Sequence, residues 1–316
     1  MEANQPIIPP VSREELEAEL TKDRFVRYTN KGENKIYDFT ANEAPALMRE
    51  VGRLREESFR AAGGGTGKEA DIDNYDTGDD PYHQLIVWDP NEKEILGGYR
   101  YIMCDELKPD AEGKVHLATA RMFSFSEKFI QEYLPYTIEL GRSFVQPQYQ
   151  SSKMGAKSLY ALDNLWDGLG SLIINHPHIE YFFGKVTMYA HSNQKVRSLI
   201  RAFMHKYFND PENLVYPNNP VKSALTDSEI NEIFSGDTYS DDYKILSKTV
   251  RELGENIPPL INAYMSLSPS MKTFGTAVNE RFGGVEETGI IITIKELYQA
   301  KVKRHVNSYK PDEPGQ

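Results

Sequence analysis

The chain has 316 residues, of which 39% are hydrophobic and 26% are charged, and its formal net charge at pH 7 is -11. This length and composition are typical of a globular protein with a sizeable core. The excess of acidic residues argues against a nucleic-acid-binding protein, because such proteins present a basic face to the phosphates. The single cysteine, Cys104, excludes an internal disulfide and a multi-cysteine metal site.

The N-terminal region carries no recognisable export or membrane signal. The sequence contains no run of about 18 apolar residues, and residues 1–20 lack the basic leader and apolar core of a secretory signal. We therefore expect a cytoplasmic protein in which residues 1–22 form an N-terminal extension.

Hydropathy patterns in the first half of the chain predict strands around one long helix. Alternating apolar and polar residues indicate strands, and apolar residues recurring every three or four positions indicate a helix. In chain order these are strands within 22–30 and 35–43, a helix from about Asn42 to the glycines at 63–65, and a hairpin of strands at 82–89 and 94–103.

The second half alternates strand and helix, as a right-handed crossover unit does. The predicted elements are a strand at 137–145, a helix from about Ala156, a strand at 179–189 and a helix at 194–208. Residues from about 209 to 255 are rich in Asp, Asn, Ser and Pro, which predicts an insertion with one or two short helices. The apolar stretch 258–297 is expected to return one strand to the sheet, and 303–316 form a polar tail.

Two motifs suggest ligands but fit them poorly. The run AGGGTGKEA at 62–70 resembles a phosphate loop, yet Ala62 and Glu69 replace its essential residues and it follows a helix instead of a strand. A turn is the better interpretation. His176 and His178 flank a proline with no third ligand nearby in sequence, so we predict a surface turn and no metal site.

A set of charged residues is the strongest functional signal. Arg100, Glu139 and Arg142 lie inside predicted strands, where a charge is costly unless it is paired. The residues alone leave two interpretations open, a polar pocket and a structural ion-pair network. Four further charged residues belong to the set, Arg55, Asp71, Asp73 and Asp76, and the aromatic Phe59 accompanies Arg55 on the first long helix.

The order of five motifs, LREESFR, DIDNYD, ILGGYRY, IELGRSFV and VQPQYQ, resembles a branch of the GNAT fold. This branch includes the acyl-homoserine lactone synthases and, more closely, the ornithine and glycine lipid N-acyltransferases, often labelled hemolysin-like. The stretch 257–297 is similar to the closing segment of the lipid-forming group, so the resemblance covers roughly residues 53 to 297. Ser268-Pro269 and Asn279 depart from the usual Gly-Ala pair and Asp of that group, which bears on amino-acid preference.

This resemblance implies an α/β (α+β) fold with a GNAT-like central mixed twisted sheet flanked by helices. An acyltransferase domain would span 23–302, with a helical insertion at about 209–255 and a C-terminal return strand.

The resemblance also implies site residues. Glu139, Arg142 and Arg100 would be catalytic, with Glu139 as the base that accepts a proton from the attacking amine. The acceptor would be bound by Arg55, Phe59, Asp71, Asp73 and Asp76. Backbone amides where the strands TIELGRSFV and FFGKVTMY diverge would stabilise the oxyanion.

The donor is expected to bind before the helix at about Ala156, since free N–H groups at a helix N-terminus bind phosphate. The implied residues are Val145, Gln146, Gln148, Lys153, Gly155 and Lys157. No tightly bound cofactor is expected, and the donor would be an acyl group on acyl carrier protein or coenzyme A. The segment Lys185 to Lys206 contains five cations and no acid, so it is either a docking patch for an acidic carrier protein or a solvated helix face.

Aromatic residues between 181 and 208 would either line an acyl tunnel or form ordinary core. The function we expect is transfer of a long, 3-hydroxylated acyl group from acyl carrier protein to the α-amine of glycine or ornithine. Such a product would bring the enzyme to the inner membrane face as a peripheral protein. The alternatives are a short-chain acyl-coenzyme A enzyme, a non-catalytic membrane-interacting protein and, less favoured by the long C-terminal segment, signal-molecule synthesis.

Overall fold

The computed structural model describes residues 4–105, 107, 109–110, 114–150 and 156–311, without the side chains of 156–159. The chain divides into two compact units, which are described separately. The first unit comprises Met1–Glu106, Tyr136–Glu180 and Tyr298–Gln316, and the second comprises Leu107–Pro135 and Tyr181–Leu297.

The first unit is a five-stranded antiparallel sheet with helices. Its elements, numbered along the whole chain, are α1 (Arg13–Glu19), β1 (Phe25–Tyr28), β2 (Lys35–Phe39), α2 (Pro45–Ala61), α3 (Asn74–Thr77), β3 (His83–Asp89), β4 (Glu94–Met103), β6 (Thr137–Val145), α4 (Ala156–Asn175) and α9 (Gln299–Lys301). The strand order is β1-β2-β3-β4-β6, and each neighbouring pair is antiparallel.

The predicted long helix is α2, and its sequence explains both of its ends. Proline at its first position has the backbone angle of a helix and needs no hydrogen bond there. Leu47, Val51 and Leu54 are buried on one side, as the apolar spacing predicts. The helix ends before Gly63, whose φ of 86° belongs to the left-handed region that favours glycine.

Ordered structure extends beyond the predicted N-terminal and C-terminal limits of the domain. In the N-terminal extension, Ser12 caps α1 and Leu16 is buried. In the polar tail, residues 302–306 continue as a helical turn. His305 of this turn is buried, and its Nδ1 lies 2.7 Å from Oδ1 of Asp167 in α4.

The second unit contains the predicted insertion and the end of the apolar region. Its elements are β5 (Phe123–Phe125), β7 (Tyr181–Met188), α5 (Gln194–Phe208), β8 (Val215–Pro217), α6 (Asp227–Ile233), α7 (Tyr239–Glu252), α8 (Pro259–Met265), β9 (Lys272–Asn279) and β10 (Val285–Thr293). Strands β7, β10 and β9 pair antiparallel in that order, and β5 pairs with β8.

The stretch 258–297 contains two strands, one more than was predicted. The stretch forms helix α8 and then two antiparallel strands, β9 and β10. The turn between the strands contains Gly283 and Gly284, which have φ values of 80° and 69° and allow the chain to reverse. The insertion contains α6 and α7, as predicted, together with the short strand β8.

Candidate active site

The predicted charged residues of the first unit form one connected network. Arg55 of α2 is fully buried, and its Nη1 lies 3.0 Å from Oδ1 of Asp76. The other carboxylate oxygen of Asp76 lies 3.1 Å from Nη1 of Arg100 in β4. The same nitrogen of Arg100 lies 2.8 Å from Oδ1 of Asp73. Asp76 is therefore shared by two guanidinium groups, and Arg100 by two carboxylates.

The short helix α3 orients the two aspartates. The side chain of Asp73 caps the helix by accepting from the backbone N of Tyr75 at 2.9 Å. The side chain of Asp76 reaches back to the backbone N of Asp73 at 3.0 Å, which completes a capping box. Gln84 of β3 accepts from Arg55 and donates to Asp76 at 3.1 Å, so a neutral amide joins the charges.

The network favours the charged form of its carboxylates. Burial raises the pKa of Asp76, but the guanidinium groups of Arg55 and Arg100 outweigh burial and hold the pKa well below its usual range. For Asp73, burial is likewise outweighed by Arg100, and the pKa is lowered. Burial lowers the pKa of Arg55, whereas Asp76 and Asp73 raise the pKa of Arg100 despite its burial.

Arg142 lies at an irregularity of β6. The pairing between β4 and β6 shifts register between Gly98 and Arg100, and Arg142 has a φ of 50°. A non-glycine residue in the left-handed region is strained, and such bulges occur next to active sites. The Nε of Arg142 lies 2.8 Å from Oδ2 of Asp71, which is fully buried and whose backbone N donates to the carbonyl of Gly52 in α2. The side chains of Arg142 and Asp73 are 16% and 17% exposed, so the network reaches solvent at this edge.

Glu139, the predicted base, is buried inside the first unit. It is 1% exposed and accepts a short hydrogen bond from the hydroxyl of Tyr82. Tyr82 is also buried, and the guanidinium of Arg100 lies 5.3 Å from the centre of its ring. The Tyr82 ring packs edge-on against Tyr75 at 5.5 Å. Tyr82 therefore connects Glu139 to the network, because its hydroxyl bonds Glu139 and its ring contacts the guanidinium of Arg100.

Sequence reasoning missed three residues that belong to the network. Tyr82 precedes β3, Tyr75 lies within α3, and Gln84 lies in β3, the first strand of the predicted hairpin. An available signal was the amide of Gln84, because a polar residue in a buried strand needs partners.

The predicted donor-binding residues are only partly described. The backbone N of Gln146 donates to the carbonyl of Leu96 at 2.9 Å, and its side chain donates to another carbonyl of β4. The Nε2 of Gln148 lies 2.6 Å from a carboxylate oxygen of Glu94, and Val145 ends β6. Lys153, Gly155 and the side chain of Lys157 lie outside the described residues. Phe59, predicted to bind the acceptor, is buried on α2.

Two amides of the glycine-rich run hydrogen-bond a carboxylate of the chain itself. The carboxylate of Glu56 accepts hydrogen bonds from the backbone N of Thr66 at 3.0 Å and of Gly67 at 2.8 Å, and it pairs with Arg60. These amides therefore bind an internal anion, and the interpretation as a turn fits better. His178 lies 3.0 Å from Asp105, and no group of metal-binding side chains occurs among the described residues.

The expected basic patch of the second unit is largely neutralised. Arg197 and Arg201 both pair with Glu286, and Lys185 pairs with Glu287 at 2.8 Å. Lys206 pairs with Asp242 at 2.9 Å. The segment itself contains no acid, but distant parts of the chain supply the carboxylates, so it is not an accumulation of uncompensated charge.

The aromatic residues of this region pack as core. Phe183 of β7 contacts Phe125 and Phe129, with ring centres 5.9 Å and 5.3 Å apart. Phe203 of α5 is fully buried against Phe234. A separate cavity of about 380 Å³ lies in the second unit, with walls from α5, β9 and the insertion.

Among the described residues, none of the helices is both apolar and long enough to span a bilayer.

Comparison with known proteins identifies the class. Residues 54–159 match the acetyltransferase (GNAT) domain, a range that includes the C-terminal part of α2, the charged network and β6. The predicted α/β fold of GNAT type is therefore confirmed. A solved structure of FeeM, an N-acyl amino acid synthase from uncultured soil microbes, aligns with a TM-score of 0.38 at 10% identity, over 88% of this chain and 99% of that chain.

Two curated relatives identify the family. The chain is 53% identical to a glycine N(alpha)-acyltransferase of Phocaeicola vulgatus over 98% of this chain and 94% of the relative. It is 56% identical to the enzyme of the same name from Bacteroides thetaiotaomicron, over 98% of this chain and 91% of the relative. The chain belongs to the glycine N(alpha)-acyltransferase family. It is an acyltransferase, and the non-catalytic alternative is wrong.

Proposed function

We propose that this enzyme transfers a long acyl group from a carrier thioester to the α-amine of glycine, and that the product is an amino-acid lipid. The observation that carries this proposal is the identity of at least 53% to glycine N(alpha)-acyltransferases over 98% of the chain. Ornithine remains the alternative acceptor, and the motif resemblance to the hemolysin-like lipid enzymes supports the lipid role.

The reaction forms a C–N bond and breaks a C–S bond. The neutral amine attacks the thioester carbonyl, the oxygen gains charge, and the thiol leaves as the amide forms. A base must take the ammonium proton before attack. We assign this role to Glu139, with Tyr82 relaying the proton because its hydroxyl donates to that carboxylate. Opening of the buried pair to the substrate is part of this proposal.

The network of the first unit is proposed to hold the reacting groups. Arg142 is partly exposed beside the bulge of β6, where its guanidinium and nearby strand amides can stabilise the oxyanion. Arg100 keeps Asp73 and Asp76 charged, and Asp76 in turn orients Arg55 and Arg100. Arg55 and Phe59 brace the site from α2, and Asp71 and Asp73 fix the orientation of Arg142.

The donor is proposed to be an acyl group on acyl carrier protein, with coenzyme A as the alternative. Its phosphate would bind at the segment before α4, where Gln146 and Gln148 lie. A peripheral position at the inner membrane face follows from the product.

The test is a reconstituted reaction followed by mass spectrometry. The purified enzyme is given a 3-hydroxyacyl carrier protein or the matching acyl-coenzyme A, with glycine or ornithine as acceptor. We expect N-acylglycine from the carrier-protein donor. Acetyl transfer without long-chain transfer would favour the short-chain alternative, and the absence of any acylated amine would overturn the proposal.

The base is tested by Glu139→Gln and Tyr82→Phe. We expect Glu139→Gln to lower kcat about a hundredfold or more, because general-base catalysis contributes about 10²–10⁴-fold. The glycine KM should change less. Glu232→Gln, an exposed change in α6, is the control that keeps full activity. A Glu139→Gln enzyme with wild-type kcat would remove Glu139 from the base role.

A further inference from the structure

Tyr82 and Glu139 lie on the same face of the sheet as the charged network. Residues that pair directly across a ladder share a face, and so do residues two positions apart in one strand. Gln84 pairs with Arg100. Two positions further along β4, Ile102 pairs with Glu139. Tyr82 reaches this face because its hydroxyl donates to Glu139.

The backbone of Tyr82 is held by bonds outside the ladder of β3 and β4. That ladder begins with the pair of His83 and Tyr101, one residue after Tyr82. The backbone N of Tyr82 donates to the carbonyl of Tyr75 at 2.7 Å. Its carbonyl accepts from Nε2 of Gln84 at 3.1 Å. The position of Tyr82 therefore depends on a side chain two residues further along the chain.

The side chain of Gln84 is fully buried and uses its oxygen and both of its N–H groups. The oxygen accepts from a guanidinium nitrogen of Arg55. Nε2 donates to the carbonyl of Tyr82 and, at 3.1 Å, to Oδ1 of Asp76. A reversed amide would direct N–H groups at the guanidinium and oxygen at the carboxylate. Only one orientation of the amide therefore satisfies all three partners.

The carboxylate of Asp76 fixes the other side of this amide. Its Oδ1 accepts from Arg55 at 3.0 Å as well as from Gln84. Its Oδ2 accepts from Arg100 at 3.1 Å and from the backbone N of Asp73 at 3.0 Å. The carboxylate is held from both of its oxygens, so it is a rigid anchor for the amide. Gln84 thus connects the charged network to the backbone of Tyr82.

A neutral amide is the side chain that suits these three partners. A carboxylate at position 84 could accept from Arg55, but it has no hydrogen to donate to Asp76 or to the carbonyl of Tyr82. It would also place a second negative charge beside Asp76. A methionine fills a similar volume and makes none of the three bonds.

We propose that Gln84 is a positioning residue for acyl transfer, which holds Tyr82 where its hydroxyl can relay a proton to Glu139. In this step the acceptor ammonium gives a proton to the Tyr82 oxygen, and the hydroxyl proton passes to the Glu139 carboxylate. One proton is moved in total. Gln84 acts only through Tyr82. This inference rests on the proposed function, in which Glu139 is the base and Tyr82 the relay.

A double-mutant cycle between Gln84→Met and Tyr82→Phe tests this role. In the enzyme that retains Tyr82, Gln84→Met should lower kcat about tenfold to a hundredfold, because misplacement by about 1 Å can cost 10²-fold. The glycine KM should stay nearly constant. In the Tyr82→Phe enzyme, Gln84→Met should lower kcat by less than about twofold, since the hydroxyl that it positions is already absent. Equal losses of kcat in the two backgrounds would overturn the assignment.

Further variants separate positioning from a general loss of stability. Gln84→Glu keeps the size and the acceptor for Arg55, and its kcat should likewise fall only when Tyr82 is present. Asn164→Leu is the matched control, because Asn164 is another fully buried amide of the first unit. It lies in α4, which approaches Leu85 on the opposite face of the sheet. Its kcat should be unchanged, and a fall as large as that of Gln84→Met would overturn the assignment.

A measurement without turnover separates this inference from the proposed function. Tyr82 is replaced by 3-fluorotyrosine at that single position, and its fluorine NMR signal is recorded in the full-length protein. We expect the signal to shift or broaden in Gln84→Met and to stay unchanged in Asn164→Leu. This result supports the positioning even if no acylated product is found, in which case the proposed reaction fails alone. An identical signal in Gln84→Met would overturn the assignment and leave the reaction standing.

Discussion

The buried charges of the two units are arranged differently. In the first unit, Asp76 is shared by Arg55 and Arg100, and Asp73 contacts Arg100 and Arg142, so the charges form a connected network. In the second unit, charges occur in small separate groups, such as the lysine–carboxylate pairs. A shared charged group neutralises several buried partners, so its removal leaves more than one buried charge uncompensated. The difference indicates that the first unit is far more sensitive to the loss of one charge.

The most severe break of the network is Arg100→Met. It removes three hydrogen bonds to Asp73 and Asp76 in a region where both Arg100 and Asp76 are almost fully buried. We expect the free energy of unfolding to fall by about 3–5 kcal/mol, the cost of removing one partner of a buried ion pair. Urea unfolding followed by circular dichroism measures this value.

The companion variant is Arg100→Lys, which keeps the charge but not the fork of donors. It should lose less stability than Arg100→Met, because one ammonium can still neutralise the aspartates. Equal losses in the two variants would mean that packing of the side chain, and not its charge, matters at this position.

A second prediction concerns acid. The pKa of Asp76 and that of Asp73 are lowered in the folded protein from an ordinary value of 3.8. A carboxylate with a lowered pKa contributes stability that is fully present above the unfolded value and is lost as the pH falls through the folded value. We therefore expect the free energy of unfolding to decline as the pH falls below about 4. Urea titrations between pH 6 and pH 3 test this, and in Arg100→Met the decline should be shallower.

A third prediction tests the separate groups of the second unit. Arg201→Met removes one of two guanidinium groups from Glu286, but Arg197 still lies 3.1 Å away. The expected loss of stability is about 1–3 kcal/mol, smaller than for Arg100→Met. The same urea experiment measures the value. If Arg201→Met and Arg100→Met proved equally destabilising, the contrast between a network and separate pairs would be lost.

Local sequence patterns predicted most of the first unit's elements. The predicted strand at 137–145 is β6, and the predicted hairpin corresponds to β3 and β4 within one residue. These strands were predicted from the local pattern of apolar and polar residues, which can be read directly from the sequence. In 258–297 one strand was expected, whereas the chain forms β9 and β10, which are joined by the turn at Gly283 and Gly284.

The pairing of charges was less predictable than their burial. A charged residue inside a strand requires a partner of opposite charge, and this requirement indicated the network around Arg100. The sequence does not show which residue that partner is. Glu287 and Lys185 are about one hundred positions apart and meet only because β10 and β7 pair. A count of acids within Lys185 to Lys206 therefore predicted a basic patch that the folded chain neutralises.

The smallest expected effect tests what remains of that patch. Lys195 is exposed in the first turn of α5, whereas the neighbouring cations at 197 and 201 are paired with Glu286. An exposed charge contributes about 1 kcal/mol or less, so Lys195→Ala should raise the KM for an acyl carrier protein donor by at most about fivefold. Steady-state kinetics at low and at high salt measure this change, which should shrink as salt screens the charge. A tenfold or larger increase would mean that the carrier protein engages this segment despite its internal pairing. In that case the paired arginines must exchange partners when the carrier binds, and charge pairing in the free enzyme would not be evidence against docking.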